Sequence, residues 1–541
     1  MTELTRQHAP ATRDTSTGGA AGWAGFGNDR VRDWVLLAGP ALVALVSYGY
    51  RLGGPPLWRD EATTKAMASR SVRDILATTS HFDAVHGAYY LIVHFTVRVT
   101  GESNAALRLP SMLAMVVACA FTALAARRLA ASAGAPRPWL TGAAAGLAFA
   151  LLPGAVRYAQ EARSYAIATM CAAIATYLLL RAAATGRLWW AWYGATLAML
   201  GVVNIFGLLI LVPHGLSLII ARRGRPPVGW LAAALFALLA AAQVLRLAYV
   251  QRAALTWKSV PPVGLTIVRL IRFWTGSWSM ALLVCVLAAI AVAAAVRAAR
   301  AGGDKGLRLG PVVVALPLLV LPAVLLLGVS QAVPLYDNRY VEFCLPALAI
   351  LTGSGLSWLR ELAGVPALRR ARVGWLPAVA AAAALLALSV PGGALVREPG
   401  ARGDNLELAT QVIAANAKAG DIVLFVPIAY RTVAMPFPGP WRALRDIALK
   451  RSPVRSGTLY GVDVTPARLR ERFRHVGRIW LIAPPAGRYA ELIKESPLYA
   501  AEARLVAGLP VIHRWVDHDV VITLYQGWHP RTTGQPGGAS G

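Results

Sequence analysis

The sequence predicts a polytopic α-helical membrane protein with a small α/β domain near its C-terminal end. Of its 541 residues, 57% are hydrophobic and only 15% are charged, and the mean hydropathy is +0.52. A soluble domain carries about 25% charged residues. Apolar runs of bilayer length recur through roughly the first 400 residues. Inside lipid the backbone must satisfy its own hydrogen bonds, so such runs are helices. Beyond about residue 397 short helical and strand-like runs alternate instead, the pattern of an α/β domain.

About eleven spans are expected, at 34–50, 109–127, 138–156, 165–181, 189–204, 205–221, 229–250, 279–297, 310–330, 341–358 and 375–396. With the N-terminus inside, the inner loops hold Arg127, Arg128 and Arg137; Arg181 and Arg187; Arg222, Arg223 and Arg225; Arg297, Arg300, Lys305 and Arg308; and Arg360, Arg369, Arg370 and Arg372. Few acids (Asp304, Glu361) oppose them. Basic clusters on one side of five successive loops set the topology, and an odd span count leaves the C-terminus outside. Residues 86–100 (HGAYYLIVHFTVRVT) are apolar but carry His86, His94 and Arg98. If they spanned, every later loop would flip, so a helix in the outer interface is expected, its polar residues toward water. The same holds for Leu265 to Trp278, where Arg269 and Arg272 share a helical face.

The expected organisation is a disordered cytoplasmic tail at 1–33, a membrane domain at 34–396 with its first outer segment at 51–108, an extracytoplasmic α/β domain at 397–526, and a disordered tail at 527–541. Within the α/β domain the sequence predicts helices over 406–417 and 466–473, strands over 421–426 and 478–483, and one or two strands over 511–524. The net charge of +28 falls largely in short loops, where it fixes topology, so nucleic-acid binding is not expected. The four cysteines (Cys119, Cys171, Cys285, Cys344) lie in apolar runs without metal-ligand spacing and read as small buried hydrophobes. The GGDKG stretch at 302–306 lacks the GxxxxGK[ST] phosphate-loop pattern.

This topology gathers an unusual polar set on the outer face: Asp60, Glu61, His81, Asp83, His86 and Arg108; Arg157, Gln160, Glu161, Arg163 and Tyr165; Lys258, Arg269 and Arg272; Tyr336, Asp337, Arg339 and Tyr340. Outer loops should be poor in arginine. Arginines kept there suit a phosphate, to which a guanidinium offers two parallel donors.

Several motifs in order, WRDEA (58–62), HGAYY (86–90), ALRLPS (106–111), YAQEARSYA (158–166) and NRYVEFCLPALAIL (338–351), resemble the C-type (GT-C) polyprenyl-phosphate glycosyltransferases. The pattern is similar to that of the family 39 protein O-mannosyltransferases and the lipid A aminoarabinose transferases, over residues 34–360. One departure is Gly87-Ala88, where that family usually has two prolines after the histidine. The resemblance implies a GT-C fold with a catalytic first outer segment. It implies an inverting transfer of mannose or another hexose or pentose from a polyprenyl phosphate to an extracytoplasmic glycan, lipid or protein acceptor. Asp60 and Glu61 are then the candidate catalytic carboxylates, Asp60 as the base that takes the acceptor proton. His86, Tyr89, Glu161, Arg163, Tyr165, Arg269, Arg272, Arg339 and Tyr340 are candidate substrate-binding residues. A divalent cation, held by Asp60 and Glu61 if at all, could share in stabilising the leaving phosphate.

Each residue has an alternative reading. Asp60 and Glu61 could cap a juxtamembrane helix; His81 and His86 could be metal ligands or water-bonded interface histidines. Glu161 could pair with Arg157 at i,i+4, and Arg339-Tyr340 could be an interfacial anchor. Two other functions also fit the composition: a lipid-linked sugar flippase or transporter, which needs ionisable groups near the midplane, and a noncatalytic envelope-assembly protein.

Overall fold

The computed structural model describes residues 35, 38–222, 224–252, 259–302, 309–361, 375–403, 406–473, 477–517 and 519–527. The expected tails at 1–33 and 527–541 (apart from Gly527), and Arg223, Lys258, Gly303 to Gly306 (with Asp304 and Lys305), Arg308, Arg369, Arg370 and Arg372, lie outside the described residues.

The membrane part runs α1 (Ala38–Gly49), α2 (Arg59–Ala68), α3 (Val72–Thr79), α4 (Gly87–Thr100), α5 (Asn104–Ser132), α6 (Pro138–Leu151), α7 (Pro153–Ala159), α8 (Tyr165–Thr185), α9 (Arg187–Val203), α10 (Leu211–Arg222), α11 (Val228–Val250), α12 (Val263–Thr275), α13 (Trp278–Gly302), α14 (Pro311–Val329), α15 (Leu345–Glu361) and α16 (Leu376–Leu395). Seven described helices are long and apolar enough to cross a membrane, or eight if the bent pair α6–α7 is one span. The chain is a multi-pass membrane protein. Three of the eleven expected spans are shorter apolar helices, at Ala38–Gly49, Leu188–Val203 and Ile205–Ala221. The last two are parted at Asn204, whose backbone is extended and whose side chain accepts from Phe206 N at 3.1 Å.

The bend between α6 and α7 is 64° and has a local cause. Leu152 precedes Pro153 and is extended (φ −68°, ψ 124°), as the proline ring requires of its neighbour. Small residues let the bundle close. At Gly355 of α15 an added Cβ would lie 1.9 Å from the Leu287 carbonyl oxygen, and at Gly353 2.3 Å from Ala145 N, so α15 meets α13 and α6 backbone to backbone. Three cysteines are buried as expected, but Cys285 is on the exposed surface of α13.

Helix α4 is not among the candidate spans. It is amphipathic, with Phe95, Arg98 and Val99 exposed. The expectation that its polar residues face water needs correction. His86 and His94 are buried, and His94 Nδ1 bonds the Ala68 carbonyl at 2.8 Å, tying α4 to the end of α2. An imidazole can be buried once its ring nitrogen has a backbone partner.

The C-terminal domain holds α17 (Leu406–Asn416), β1 (Ile422–Phe425), β2 (Arg445–Asp446), β3 (Leu449–Arg451), β4 (Val462–Asp463), α18 (Pro466–Arg472), β5 (Arg478–Ala483), α19 (Ala486–Glu495), α20 (Pro497–Val506), β6 (Val511–Asp517) and β7 (Val520–Gln526). Five strands form one sheet in the order β2-β1-β5-β7-β6, parallel on the β1 side and antiparallel from β5 outward. All four β1 residues are buried, since this central strand is covered on both faces. The domain sits on the segment between α1 and α5. Glu407 Oε1 accepts from Asn104 Nδ2 at 2.7 Å and Leu57 N at 3.4 Å, and Arg70 Nη2 donates to the Thr458 carbonyl at 3.1 Å.

Glu502 on α20 is fully buried and neither carboxylate oxygen has a partner. Burial first, then the charge of Asp463, pushes its pKa from 4.5 up to about 8. The folded state therefore holds a proton that the unfolded chain gives up above its own lower pKa. This contribution to stability is complete below about pH 4.5 and is lost as the pH rises through about 8. In thermal scans of the full chain followed by fluorescence, Glu502→Gln should lose less stability than the wild type over that window. Parallel curves for the two proteins would contradict this.

Candidate active site

Two consecutive residues in the first turn of α2 diverge by about 100° around the helix axis, so Asp60 and Glu61 meet different surroundings. Glu61 points inward and is fully buried. Arg108 grips it at both oxygens (Nε–Oε1 2.8 Å, Nη2–Oε2 2.7 Å), Arg402 Nη1 adds a bond at 2.9 Å, and Ala162 N donates at 2.8 Å. Burial alone would raise its pKa, but Arg108 and Arg402 outweigh it and hold Glu61 at about 2. The remaining Arg108 protons go to the carbonyls of Leu52, Pro55 and Pro56. The geometry corrects the pairing of Glu61 with Asp60 as a second catalytic carboxylate. Its oxygens are consumed in joining α2, α5, the 160–164 turn and the C-terminal domain.

Asp60 points the other way and stays partly exposed. Its Oδ2 lies 2.5 Å from Arg339 Nη1 and 3.7 Å from Arg163 Nη2. Burial pushes its pKa up, yet the positive charges of Arg163 and Arg339 prevail and hold it below the usual carboxylate value. Arg163 comes from the turn that follows the α6–α7 bend. That turn is pinned by Gln160 Nε2, which donates to the Tyr48 and Tyr50 carbonyls at 2.8 Å each. Thr64 Oγ1 bonds the Ala162 carbonyl at 3.0 Å. Arg339 comes from the 3-10 stretch Asn338–Cys344, and its Nε pairs with Asp337 Oδ2 at 3.1 Å. Residues 60, 163 and 339 thus meet from three distant parts of the chain. The Nε of Arg163 and the Nε1 of Trp58 are buried donors with no partner. Trp58 also lies under the Arg339 guanidinium, 5.7 Å from its ring centroid.

His86 adjoins this group. Its Nδ1 lies 2.8 Å from Asp83 Oδ1 and 3.5 Å from Arg163 Nη2. The Tyr90 hydroxyl donates to Asp83 Oδ2 and receives a bond from Arg163 Nη1 at 3.3 Å. Burial, then Arg163, lowers the pKa of His86, while His86 and Arg163 overcome burial to hold Asp83 at about 2. Tyr165 packs edge-on to His86, with centroids 6.4 Å apart.

Other sequence-stated candidates stand further off. The Tyr89 hydroxyl bonds Ser111 Oγ at 2.8 Å in the core, and Ser111 in turn donates to the Arg163 carbonyl at 3.3 Å. Tyr89 therefore supports Arg163 from the core. Glu161 is buried beneath it, 3.8 Å from Arg157. Tyr340 stacks on Phe206 at 4.7 Å. Arg269 is exposed and Arg272 half-exposed on α12, whose buried face is Thr266, Leu270 and Trp274. Among the described residues neither arginine joins the Asp60 group by a hydrogen bond or ion pair, so they are not placed beside it; both suit the interfacial helix expected there. The exposed His81 side chain bonds Ser80 and Ala77, apart from His86.

Sequence reasoning gave no role to Arg108, Arg402, Trp58 or Tyr90. Arg108 and Trp58 lie inside the quoted motifs ALRLPS and WRDEA. Arg402 stands in an irregular stretch after the last span, where no local pattern marks it.

A divalent cation does not fit these residues. Glu61 has no free oxygen, Asp60 is held by two guanidinium groups, and among the described residues no three His, Cys, Asp or Glu side chains converge to hold a metal.

Residues 87–246 match the family model described as dolichyl-phosphate-mannose-protein mannosyltransferase. ArnT from Cupriavidus metallidurans in the apo state is 13% identical, with a TM-score of 0.56 over 94% of this chain and 98% of that one. The chain has the GT-C glycosyltransferase fold. ArnT bound to undecaprenyl phosphate matches at a TM-score of 0.54, 13% identity and the same coverage of 94% and 98%. The apo oligosaccharyltransferase of Archaeoglobus fulgidus matches at 0.50, 10% identity, over 87% of this chain and 72% of that one. No curated protein matches the chain. The family model takes in Tyr89, Glu161, Arg163 and Tyr165 of the GT-C core but begins after Asp60.

Proposed function

We propose that this GT-C chain is an inverting glycosyltransferase. It moves one sugar, mannose or another hexose or pentose, from a polyprenyl phosphate to an acceptor on the extracytoplasmic side, where the C-terminal domain also lies. The observation that carries the reading is a partly exposed carboxylate, Asp60, held between Arg163 and Arg339 beside two buried donors that lack a partner. A phosphate satisfies that set. Its oxygens take the guanidinium groups of Arg163 and Arg339, and the free Arg163 Nε and Trp58 Nε1 add further bonds. The match to ArnT bound to undecaprenyl phosphate supports a lipid phosphate.

Arrival of the phosphate also prepares the base. Arg163 and Arg339 suppress the basicity of Asp60 while they pair with it. Once the phosphate draws them off, Asp60 regains proton affinity and accepts the proton of the acceptor hydroxyl. The acceptor oxygen then bonds the anomeric carbon from the face opposite the phosphate. The bond from that carbon to the phosphate oxygen breaks, and its electron pair leaves on polyprenyl phosphate, stabilised by the two arginines. The attack inverts the anomeric configuration without a covalent enzyme intermediate. Glu61 keeps Asp60 in place by fixing α2 to the 160–164 turn.

A transporter reading finds less support. Gln243 and Arg246 bond each other at 3.1 Å on an exposed face, and the buried His214 has both ring nitrogens taken, by Tyr193 at 3.0 Å and Thr176 at 3.3 Å.

Undecaprenyl phosphate binding to the full chain, followed by native mass spectrometry, tests the phosphate site. Arg163→Gln with Arg339→Gln should weaken it by at least about tenfold, as expected for lost charge-assisted hydrogen bonds. Equal affinity in the double variant would rule out the assigned site.

A further inference from the structure

We propose that Tyr460, delivered by the C-terminal domain, forms the acceptor-side wall of the Asp60 cleft and that the acceptor it selects is a saccharide. The proposal rests on the reading that the cleft transfers a sugar. Residues 458–460 form a turn before β4 that is fixed from several sides. Arg70 holds the Thr458 carbonyl at 3.1 Å and is itself bonded to Thr78 Oγ1 at 2.8 Å. Leu459 is buried with Met67, Ile75 and Tyr90 of the first outer segment. Arg431 Nη1 donates to the Tyr460 carbonyl at 3.1 Å, and Arg431 is clamped by Asp446 at 2.7 Å and Asp463 at 2.6 Å. Gly461 closes the turn at φ +89°, where an added Cβ would lie 2.8 Å from the Arg451 carbonyl oxygen. So much fixation, on an irregular segment, holds one side chain in place.

That side chain reaches the cleft. The Tyr460 ring meets Phe82 edge to face, with centroids 5.9 Å apart, and Phe82 immediately precedes Asp83. Its phenol lies in the electrostatic field of Asp83, Asp60, Arg59 and Arg163. Its hydroxyl makes no hydrogen bond among the described residues, although the ring is half-buried. Arg163 and Arg339 approach Asp60 from the ends of membrane helices, where a lipid phosphate arrives. Tyr460 approaches from the domain that covers the cleft. An inverting displacement needs the acceptor opposite the phosphate, and Tyr460 is assigned to that side because it comes from the C-terminal domain and not from the membrane helices. An aromatic face with one spare hydroxyl suits the apolar C–H face of a sugar ring and one of its hydroxyl groups.

The test uses the full-length protein loaded with undecaprenyl phosphate and titrated with a panel of methyl glycopyranosides, binding being read by saturation-transfer NMR. A threonine peptide amide is titrated in parallel. Tyr460→Ala should weaken glycoside binding by about tenfold, the scale of one aromatic contact, and leave undecaprenyl phosphate binding unchanged. Tyr460→Phe keeps the ring and should weaken it only about threefold. Glycoside affinity unchanged in both variants overturns the proposal, and so does Tyr460-dependent binding of the threonine peptide in place of the glycosides. If Tyr460→Ala loses both ligands through a damaged cleft, Tyr460→Phe decides alone: weaker glycoside binding with intact phosphate binding supports the proposal, and no change overturns it. Failure of the wild-type chain to bind undecaprenyl phosphate counts against the donor reading, and the glycoside titrations are then scored without it.

Discussion

Asp60→Asn should lower the rate of sugar transfer by about 10²- to 10⁴-fold, the usual contribution of a general base. The same change should leave undecaprenyl phosphate binding intact or tighten it, because Asp60 competes with the phosphate for Arg163 and Arg339 at 3.7 and 2.5 Å. A slower chemical step with equal or better donor binding distinguishes a base from a scaffold residue, whose loss would weaken both. The measurement is a full kinetic comparison in proteoliposomes, with donor affinity taken separately. Transfer at the wild-type rate by the Asn variant would remove Asp60 from the mechanism.

Glu61→Ala should act on the fold. It leaves Arg108, a fully buried guanidinium, without its carboxylate, and frees Arg402 from the same oxygen. Breaking a buried pair by removing one partner costs about 3–5 kcal/mol, because the remaining charge stays desolvated. Two arginines are stranded here, so the loss should lie at the upper end of that range. The variant should denature at a clearly lower temperature in detergent, and protease should release the C-terminal domain more readily, since Arg402 and the 160–164 turn lose their common anchor. A variant with normal thermal stability but no transfer would return Glu61 to the catalytic group.

Much of the fold was legible because its signals are local. Hydropathy runs located helices at every expected span, and short apolar runs located β1, β5, β6 and β7. Strands of two or three residues, such as β2 and β4, hold too few residues for any period to register. The break at Asn204 and the 64° bend at Pro153 turn on single residues within apolar runs, and hydropathy averages over them. At the site, the motif resemblance brought forward Asp60, Arg163 and Arg339, and the structure gathers these three. It could not tell Asp60 from Glu61, because adjacent positions on a helix share a motif while facing different partners. Arg269 and Arg272 were drawn in by charge alone, and charge on an amphipathic helix equally marks an interfacial face. Arg402 and Tyr460 lie in irregular segments whose role is set by contacts more than 300 residues away in the chain, a distance over which no spacing rule operates.

The central claim is that Asp60, Arg163 and Arg339 form one cleft that breaks a polyprenyl-phosphate-sugar bond. Its most direct test supplies the reconstituted chain with radiolabelled polyprenyl-phosphate sugar and envelope acceptors, and follows the label, the released lipid phosphate and the anomeric configuration of the product. The account predicts one polyprenyl phosphate released per sugar transferred, with inverted configuration. Retained configuration, or movement of intact lipid-linked sugar across the membrane without bond cleavage, would contradict it.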